Sequence, residues 1–330
     1  MHYPANRAYI LLSRGITYGI MDMFLITAES LHRPEVVRWH NRMLDRYNPP
    51  PGIELTVVLP CSARKPYSKS KSHRHFRRYI KRGAKGKMSL VHEVVLTSPL
   101  GLVLRELENL YPAAHYDVPV TGHWSDEEME IAVRLLSGYL DKTGKPAIAH
   151  VNGAYREICG ALDLRMTGGG LAKDELEALA EMVEEALSDM DPVKRNWKKE
   201  KARAICDFQF GRGAGEIMIP DAAVVKGRQV FYGGEQVAAV NPNNGYLALT
   251  LAGGRLLKEY GNNWVEVSFK PETNSIFAVG IENADLGIRP NDEVVVLYGD
   301  EVAGVGRAVL NGSEMTRAKR GLAVQLRHRA

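Results

Sequence analysis

The chain has 330 residues, enough for two or three domains with hydrophobic cores of their own. Hydrophobic residues make up 45% and charged residues 25%, as in ordinary soluble proteins, and a net charge of +4 excludes no class of partner. Three scattered cysteines argue against disulfides and paired-cysteine metal sites, and the N-terminus lacks a signal pattern, so we expect a cytoplasmic protein without a membrane span.

Helices and strands alternate in the predicted elements from residue 34 onward. Pro34 suits a helix start, and a stripe of buried positions continues that helix to Tyr47. Ser125 and Glu128 form a capping box before another helix. Strands that are apolar throughout indicate a mostly parallel sheet covered on both faces, hence a three-layer α/β domain. The predicted strands are 53–59, 91–97, 116–120 and 147–151, and the other predicted helices are 72–82, 100–110, 154–159 and 176–190.

Polar side chains follow each of these strands at its carboxyl end. They are Cys61-Ser62, Thr97-Ser98, Thr121-Gly-His123 and Asn152-Gly153. Because the carboxyl ends of parallel strands meet at one edge of a sheet, we expect these clusters to converge on one site.

The composition changes after Pro192, where cations crowd a short stretch and glycine and asparagine then break the chain into short segments. We predict a small α+β module with a strand at 247–251, followed by a β-rich domain with a turn at 289–292 before a strand at 293–298. The predicted domains are 1–200, the α/β catalytic domain; 201–262, a small β-rich linker module; and 263–330.

Residues 60–76 combine a thiol, hydroxyls, two imidazoles and cations in a stretch that no regular element requires. Eleven lysines and arginines and not one acid lie between Glu54 and Glu93, a single-sign bias that favours a phosphate-rich partner such as nucleic acid. A solvated charged face is the alternative. Candidate RNA contacts are Arg74, Arg77, Arg78, Lys81, Arg307, Lys319 and Arg320.

Cys61 directly follows a predicted strand among cations that favour the reactive thiolate form. The alternative is a small buried residue at a strand end, which is also how we interpret Cys159 and Cys206. There is no P-loop, no GxGxxG after the first strand and no zinc spacing, so we predict neither metal nor cofactor.

Two segments resemble known RNA-associated modules. The stretches Ile276-Phe-Ala-Val-Gly280, Ile288-Arg-Pro-Asn-Asp-Glu-Val-Val-Val296, Val305-Gly-Arg-Ala-Val-Leu310 and Gly321-Leu-Ala-Val-Gln-Leu-Arg-His328 resemble a PUA domain, a pseudo-barrel that binds structured RNA. The segments Phe208-Gln-Phe-Gly-Arg-Gly-Ala-Gly-Glu216 and Asn241-Pro-Asn-Asn-Gly245 resemble the module before the PUA domain in archaeal tRNA-guanine transglycosylases.

The stretch 60–73 is similar to the PC-x3-KPY-x2-S-x2-H signature of archaeosine synthases, paralogues of those transglycosylases. Every fixed position is present: Pro60, Cys61, Lys65, Pro66, Tyr67, Ser70 and His73. Thr97-Ser-Pro-Leu-Gly101 and Tyr116-Asp-Val-Pro-Val-Thr-Gly122 also look like that family.

The resemblance implies that free lysine is added, without ATP, to the nitrile of 7-cyano-7-deazaguanine at position 15 of tRNA. A radical-SAM partner then converts the adduct to archaeosine. Longer members carry a transglycosylase-like barrel before this region, so the resemblance implies a split subunit, a short form or a trimmed chain, and makes a separate transglycosylase-like subunit a candidate partner.

On this reading Cys61 is the nucleophile, His73 moves protons, and Ser70 and Tyr67 bind the nitrogen as charge develops. Lys65 and Asp117 suit the carboxylate and α-ammonium of lysine, and Ser98 and Asn152 line the substrate pocket. In the rival mechanism Cys61 only lines that pocket and the amine adds directly. Two other functions stay open: a non-catalytic tRNA-binding subunit, and, on fold analogy alone, a base-excising enzyme.

Overall fold

The computed structural model describes residues 28–115 and 124–330. The predicted strand at 116–120 lies outside the described residues, as do Asp117 and His123. None of the described helices is long and apolar enough to cross a membrane.

The first part of the chain is an α/β domain, as predicted. Its strands and helices are α1 (Pro34–Asp45), β1 (Leu55–Pro60), α2 (Lys71–Ala84), β2 (Val91–Thr97), β3 (Gly101–Leu104), α3 (Asp126–Thr143), β4 (Ala147–His150), α4 (Ala154–Gly160), β5 (Arg165–Thr167) and α5 (Lys173–Ala186). Short 3₁₀ helices lie at Ala28–His32, Tyr67–Lys69 and Met88–Leu90. The predicted capping box is present at the start of α3, where the side chains of Ser125 and Glu128 each accept from the other's backbone N–H.

Among the described residues, the first sheet has the strand order β3-β2-β1-β4-β5. Strands β2, β1, β4 and β5 are parallel, and β3 pairs antiparallel with β2. The helix predicted at 100–110 is wrong. Gly101 has a positive φ, and the residues after it are extended, so that Leu104 pairs with Val94 of β2. Strand pairing with β2 therefore overrides the local helical preference of this segment.

Helices cover both faces of this sheet, which confirms the three-layer arrangement. On one face Leu55, Val57 and Leu59 pack against α2 and α5. Gly83 of α2 meets the backbone of Ala180 in α5, and an added Cβ there would overlap the Ala180 carbonyl. On the other face Val58 belongs to the core formed with α1 and α3.

The middle part of the chain mixes helices and strands. It consists of α6 (Trp197–Phe210), α7 (Ala214–Met218), β6 (Val224–Lys226), β7 (Gln229–Tyr232), β8 (Glu235–Val240), β9 (Leu247–Leu249) and α8 (Leu251–Tyr260). The α+β prediction holds, but Gly253 and Gly254 lie inside α8 and do not interrupt strands. Helix α8 crosses β8 so closely that a Cβ on Gly253 would overlap the Val237 carbonyl.

The last part is a curled six-stranded sheet with one short helix. Its elements are β10 (Trp264–Val267), β11 (Ser275–Phe277), β12 (Ile281–Ala284), β13 (Glu293–Tyr298), β14 (Glu301–Ala308), α9 (Gly312–Arg317) and β15 (Leu322–Arg329), and the strand order is β11-β15-β14-β13-β10-β12. The predicted turn before β13 is present, with Asn291 at positive φ.

Buried polar contacts join the last part of the chain to the first. Arg42 of α1 forms an ion pair with Asp292 at 2.7 Å, and both side chains are almost fully buried. Arg38 donates to the Pro290 carbonyl at 3.0 Å. These contacts fix the turn before β13 against α1.

Candidate active site

The parallel register brings three of the four predicted polar clusters to one edge of the first sheet, and the fourth, at 121–123, lies outside the described residues. Pro60 pairs with Leu96, and Val58 pairs with Ala149, so β1, β2 and β4 end side by side. Cys61, Ser98 and Asn152 follow these ends. The described strands therefore converge at their carboxyl edge as predicted, and Asp117 cannot be placed among them.

Cys61 is half-buried and contacts Tyr155, which packs against Trp124, and sequence reasoning missed both aromatic residues. Its Sγ lies 2.9 Å from the hydroxyl of Tyr155, a residue in the first turn of α4. The Tyr155 ring meets the indole of Trp124 edge to face, with ring centroids 5.3 Å apart. Trp124 is itself half-buried and immediately precedes the capping box of α3. The thiol is thus held at the boundary between the core and the open edge of the sheet.

Ser98 and Asn152 differ in their surroundings. The Ser98 hydroxyl donates to the carboxylate of Glu128, which also accepts a hydrogen bond from the backbone N–H of Ser125, the N-cap of α3. Glu128 therefore orients Ser98, a contact that the sequence did not suggest. Asn152 is exposed, directly before the Gly153 N-cap of α4.

Tyr67 and His73 are fixed positions of the motif, and the side chains of both are buried. Their ring centroids lie 5.1 Å apart with the planes tilted by 37°, and His73 also meets Phe76 edge to face at 5.5 Å. His73 Nε2 donates to the Pro60 carbonyl at 3.0 Å, while Nδ1 accepts from Arg105 at 3.2 Å. Burial, and secondarily the Arg105 charge, lower the pKa of His73 to about 3. A neutral ring with both nitrogens occupied favours a positioning role over the proton transfer that we predicted.

Arg105 is the centre of a buried network that holds the motif in place. Its guanidinium bonds to the carboxylates of Glu93 and Glu108 as well as to His73. Glu108 also accepts from the backbone N–H of Ser68 at 2.9 Å. One network thus fixes both the 3₁₀ turn of the motif and the start of α2.

Ser70 and Lys65 are two further residues of the motif, and both lie between β1 and α2. Ser70 is buried at the N-cap of α2, and its hydroxyl lies 2.9 Å from that of Ser72. Lys65 is half-buried, with Nζ 5.7 Å from the centroid of the Tyr67 ring. Burial of Ser70 and Tyr67 favours roles in shaping the loop.

Eight of the eleven cations fall into two groups, and the other three, Arg64, Lys65 and Lys69, precede α2. Four of the eight bind acids or carbonyls of neighbouring elements. Arg77 forms an ion pair with Glu93 at 3.6 Å, Arg82 pairs with Glu177 and Lys85 with Glu184, and Lys87 donates to carbonyls after α5. Four others, which we call the α2 stripe, lie on the exposed face of α2 and pair with no acid in the described residues: Lys71, Arg74, Arg78 and Lys81. Their spacing of three, four and three residues places them on one line along the helix.

The predicted RNA-binding residues of the last domain are exposed. Arg307 donates to the Asn291 side chain at 3.0 Å, and Lys319 and Arg320 follow α9. These three residues are far in sequence from the α2 stripe. RNA binding by the last domain and RNA binding by the α2 stripe are therefore two separate predictions.

Other features of the described residues offer little chemistry. No three His, Cys, Asp or Glu side chains of the described chain come together to hold a metal ion. Burial raises the pKa of Cys159 to about 12 and that of Cys206 well above its usual range, as expected of structural thiols. An open acidic cleft of ≈ 500 Å³ between β5 and α5 is lined by none of the predicted site residues.

Comparison with protein families divides the chain into three matched parts. Residues 36–183 match a domain of unknown function, DUF5591. Residues 200–262 match the patch-forming domain C2 of tRNA-guanine transglycosylase, and residues 267–330 match the PUA domain.

The chain is also similar to whole proteins. It is 40% identical over 324 residues to the archaeosine synthase subunit alpha of Thermococcus kodakarensis, covering 93% of this chain and 56% of that protein. It is 42% identical over 322 residues to the subunit of the same name from Methanosarcina acetivorans, covering 92% and 51%. Among solved structures, the crystal structure of AF0587, a protein of unknown function, aligns with a TM-score of 0.67 and 26% identity, over 88% of this chain and 98% of that one.

The chain spans about half the length of the relatives that it matches. It is a homologue of the archaeosine synthases, with a C2 domain of the tRNA-guanine transglycosylase type and a PUA domain in its second half.

Proposed function

We propose that this chain adds free lysine to the nitrile of 7-cyano-7-deazaguanine at position 15 of tRNA, a step in archaeosine biosynthesis. The observation that carries the proposal is the half-buried thiol of Cys61, which lies at the carboxyl edge of a parallel sheet within a complete archaeosine synthase motif. The names of the relatives support a role in making archaeosine.

The chemistry needs a nucleophile and proton transfer but no energy source. The Cys61 thiolate adds to the nitrile carbon, and the nitrogen takes a proton to give a thioimidate. The amine of lysine then attacks the same carbon, the C–S bond breaks, and an amidine forms as the thiolate leaves. One C–N bond is gained, no atom is lost and no oxidation occurs, so neither ATP nor a redox cofactor is required.

The described contacts suggest how the side chains share this work. Tyr155 lies within hydrogen-bond distance of Sγ, so its hydroxyl can stabilise the thiolate and supply the proton to the nitrogen. His73, Tyr67 and the Arg105 network hold the loop that carries Cys61. Lys65 keeps its proposed role toward the lysine carboxylate, and Asp117 keeps its proposed role toward the α-ammonium.

The proposal includes three macromolecular partners. The tRNA binds to the α2 stripe and to the PUA domain. A separate transglycosylase-like subunit is the second partner. A radical-SAM enzyme consumes the lysine adduct.

The covalent step is tested with Cys61→Ala and tRNA that carries the nitrile base. We expect the rate of lysine addition to fall by a factor of roughly a hundred or more, because the thioimidate can no longer form. In wild type without lysine, intact-protein mass spectrometry should detect the base-bearing tRNA fragment attached to Cys61. Wild-type rates in Cys61→Ala would instead favour direct attack by the amine.

The second candidate function is a tRNA-binding subunit without catalysis. It is favoured by the α2 stripe, whose exposed cations pair with no acid in the described part of the chain and suffice to bind RNA without any reaction at Cys61. Tight tRNA binding without any lysine-dependent mass gain on the tRNA would select this alternative.

A further inference from the structure

Tyr155 lies beside the thiol, and Trp124 packs against Tyr155, at the edge of the sheet where the polar loops converge. Tyr155 touches Cys61 Sγ through its hydroxyl and touches Trp124 through its ring. Both aromatic residues come from helix starts, Trp124 before α3 and Tyr155 in α4, so regular elements hold them in place. Neither residue belongs to the PC-x3-KPY-x2-S-x2-H motif.

The geometry points to a nucleobase-binding subsite: we propose that the modified base stacks on the indole of Trp124, with its nitrile directed at Cys61 Sγ. This inference rests on the proposed function, because it names how the base of that reaction is held. The motif contains no residue that obviously binds the base. A thiol can reach the base only after the base has flipped out of the RNA stack and is bound by the protein.

The chemistry of the ligand matches the chemistry of these side chains. A flipped-out purine-like base presents a flat π face and a polar edge, and proteins bind such bases by aromatic stacking and side-chain hydrogen bonds. Trp124 is half-buried, so it is anchored in the core while part of its ring stays accessible. Asn152 is exposed at the same edge and carries both a donor and an acceptor that can read the edge of the base.

The other tryptophans do not meet these conditions. Trp39 is buried, and its indole N–H donates to the Leu102 carbonyl. Trp197 is exposed at the start of α6, in a different part of the chain. Trp264 lies in β10 of the six-stranded sheet. Trp124 is therefore the tryptophan that combines accessibility with contact to Tyr155, the neighbour of Cys61.

The test measures protection of Cys61, not turnover. The probe is the free base 7-cyano-7-deazaguanine, and the readout is the rate of Cys61 alkylation by iodoacetamide, followed by peptide mass spectrometry with buried Cys159 and Cys206 as internal references. We compare wild type with Trp124→Leu, which keeps an apolar side chain but loses the π face, and with Trp124→Phe, which keeps an aromatic ring. Trp197→Leu is the matched control.

We expect the base to protect Cys61 in wild type, Trp124→Phe and Trp197→Leu. In Trp124→Leu the half-protecting concentration should rise roughly 5- to 150-fold, the range that base–aromatic stacking contributes. Equal protection of Trp124→Leu and wild type, or no protection of wild type, would overturn the subsite.

The same variants separate this inference from the proposed function. Trp124-dependent protection without lysine addition to tRNA would leave the subsite standing and refute the reaction. Lysine addition by wild type together with unaltered addition and protection in Trp124→Leu would leave the reaction standing and refute the subsite. A rescue by Trp124→Phe that Trp124→Leu does not show would exclude a purely structural role of the indole.

Discussion

His73 occupies the interior of the molecule although its sequence neighbours are polar. Its folded-state pKa of about 3 lies below the value of 6.5 for an exposed histidine, so the unfolded chain takes up a proton first as the pH falls. The stability that the neutral ring contributes is therefore complete above pH 6.5 and is lost progressively toward pH 3.

We predict that His73→Gln, which keeps a hydrogen-bond donor and cannot titrate, loses less stability in acid than wild type. Between pH 6.5 and pH 3 the difference should be about 1 kcal/mol per pH unit, measured by urea unfolding at several pH values. His75→Gln on the exposed face of α2 is the control and should follow the wild-type pH dependence. Parallel curves for wild type and His73→Gln would contradict the assignment of a neutral buried ring.

At the scale of single residues, the sequence predicts position better than role. Cys61 could be placed at a strand end because apolar residues precede it, and the structure puts it there. His73 and Phe76 are buried on the core face of α2, whereas the polar composition of the loop suggested a reactive histidine. Tyr155 was not predicted, since a contact between side chains 94 residues apart depends on the tertiary placement of α4.

Helix α2 has two faces with different physical tasks. His73, Phe76 and Ile80 face the core, and the α2 stripe faces solvent. The stripe has no acidic partner among the described residues, so its cations break no ion pair there when they bind phosphate. Arg82 and Lys85, by contrast, must first leave Glu177 and Glu184.

We predict that changing all four residues of the α2 stripe to Gln weakens tRNA binding and makes it less dependent on salt. The slope of log K against log salt should become shallower by roughly 0.7–0.9 for each phosphate that the variant no longer neutralises. Fluorescence anisotropy at several salt concentrations measures both quantities. The control is Arg82→Gln with Lys85→Gln, which should alter the slope much less. Equal effects of the two sets would mean that the charge of the helix, and not the stripe, attracts the RNA.

At the scale of elements, strongly patterned segments were predictable and pairing partners were not. The parallel strands β1, β2 and β4 follow from continuous apolar runs, and α3 follows from its capping box. The segment after Gly101 was wrongly predicted as a helix, because its leucines satisfy helical spacing while the unpaired edge of β2 recruits them as β3. Gly253 and Gly254 look like turn residues, but the close crossing of α8 over β8 requires a residue without a Cβ at Gly253.

At the scale of the whole molecule, the buried ion pair between Arg42 and Asp292 joins the first part of the chain to the last. Removing one partner of such a pair leaves the other charge buried without compensation. We predict that Arg42→Met lowers the free energy of unfolding by about 3–5 kcal/mol, measured by urea denaturation. Arg165→Gln, which breaks the exposed pair with Glu185, is the control and should leave unfolding unchanged. A similar midpoint for Arg42→Met and wild type would show that the PUA domain is held by other contacts.

For the whole molecule, composition and motifs predicted an α/β domain followed by an α+β module and a β-rich domain. They did not predict which surfaces of these three parts contact each other. Nothing in the local pattern around Arg42 or Asp292, 250 residues apart, indicates that they meet. The same limit applies to Arg105, whose partners Glu93, Glu108 and His73 are brought together only by the antiparallel return of β3.

Mass spectrometry of tRNA checks the claim that this chain joins lysine to a nitrile base in RNA. The purified chain is incubated with tRNA carrying 7-cyano-7-deazaguanine at position 15, with and without lysine and with no ATP, and the nucleosides are then analysed. We expect the modified nucleoside to gain the mass of one intact lysine, only when lysine is present and far less with Cys61→Ala. Unchanged nucleoside mass after incubation with chain that binds the tRNA would contradict the claim.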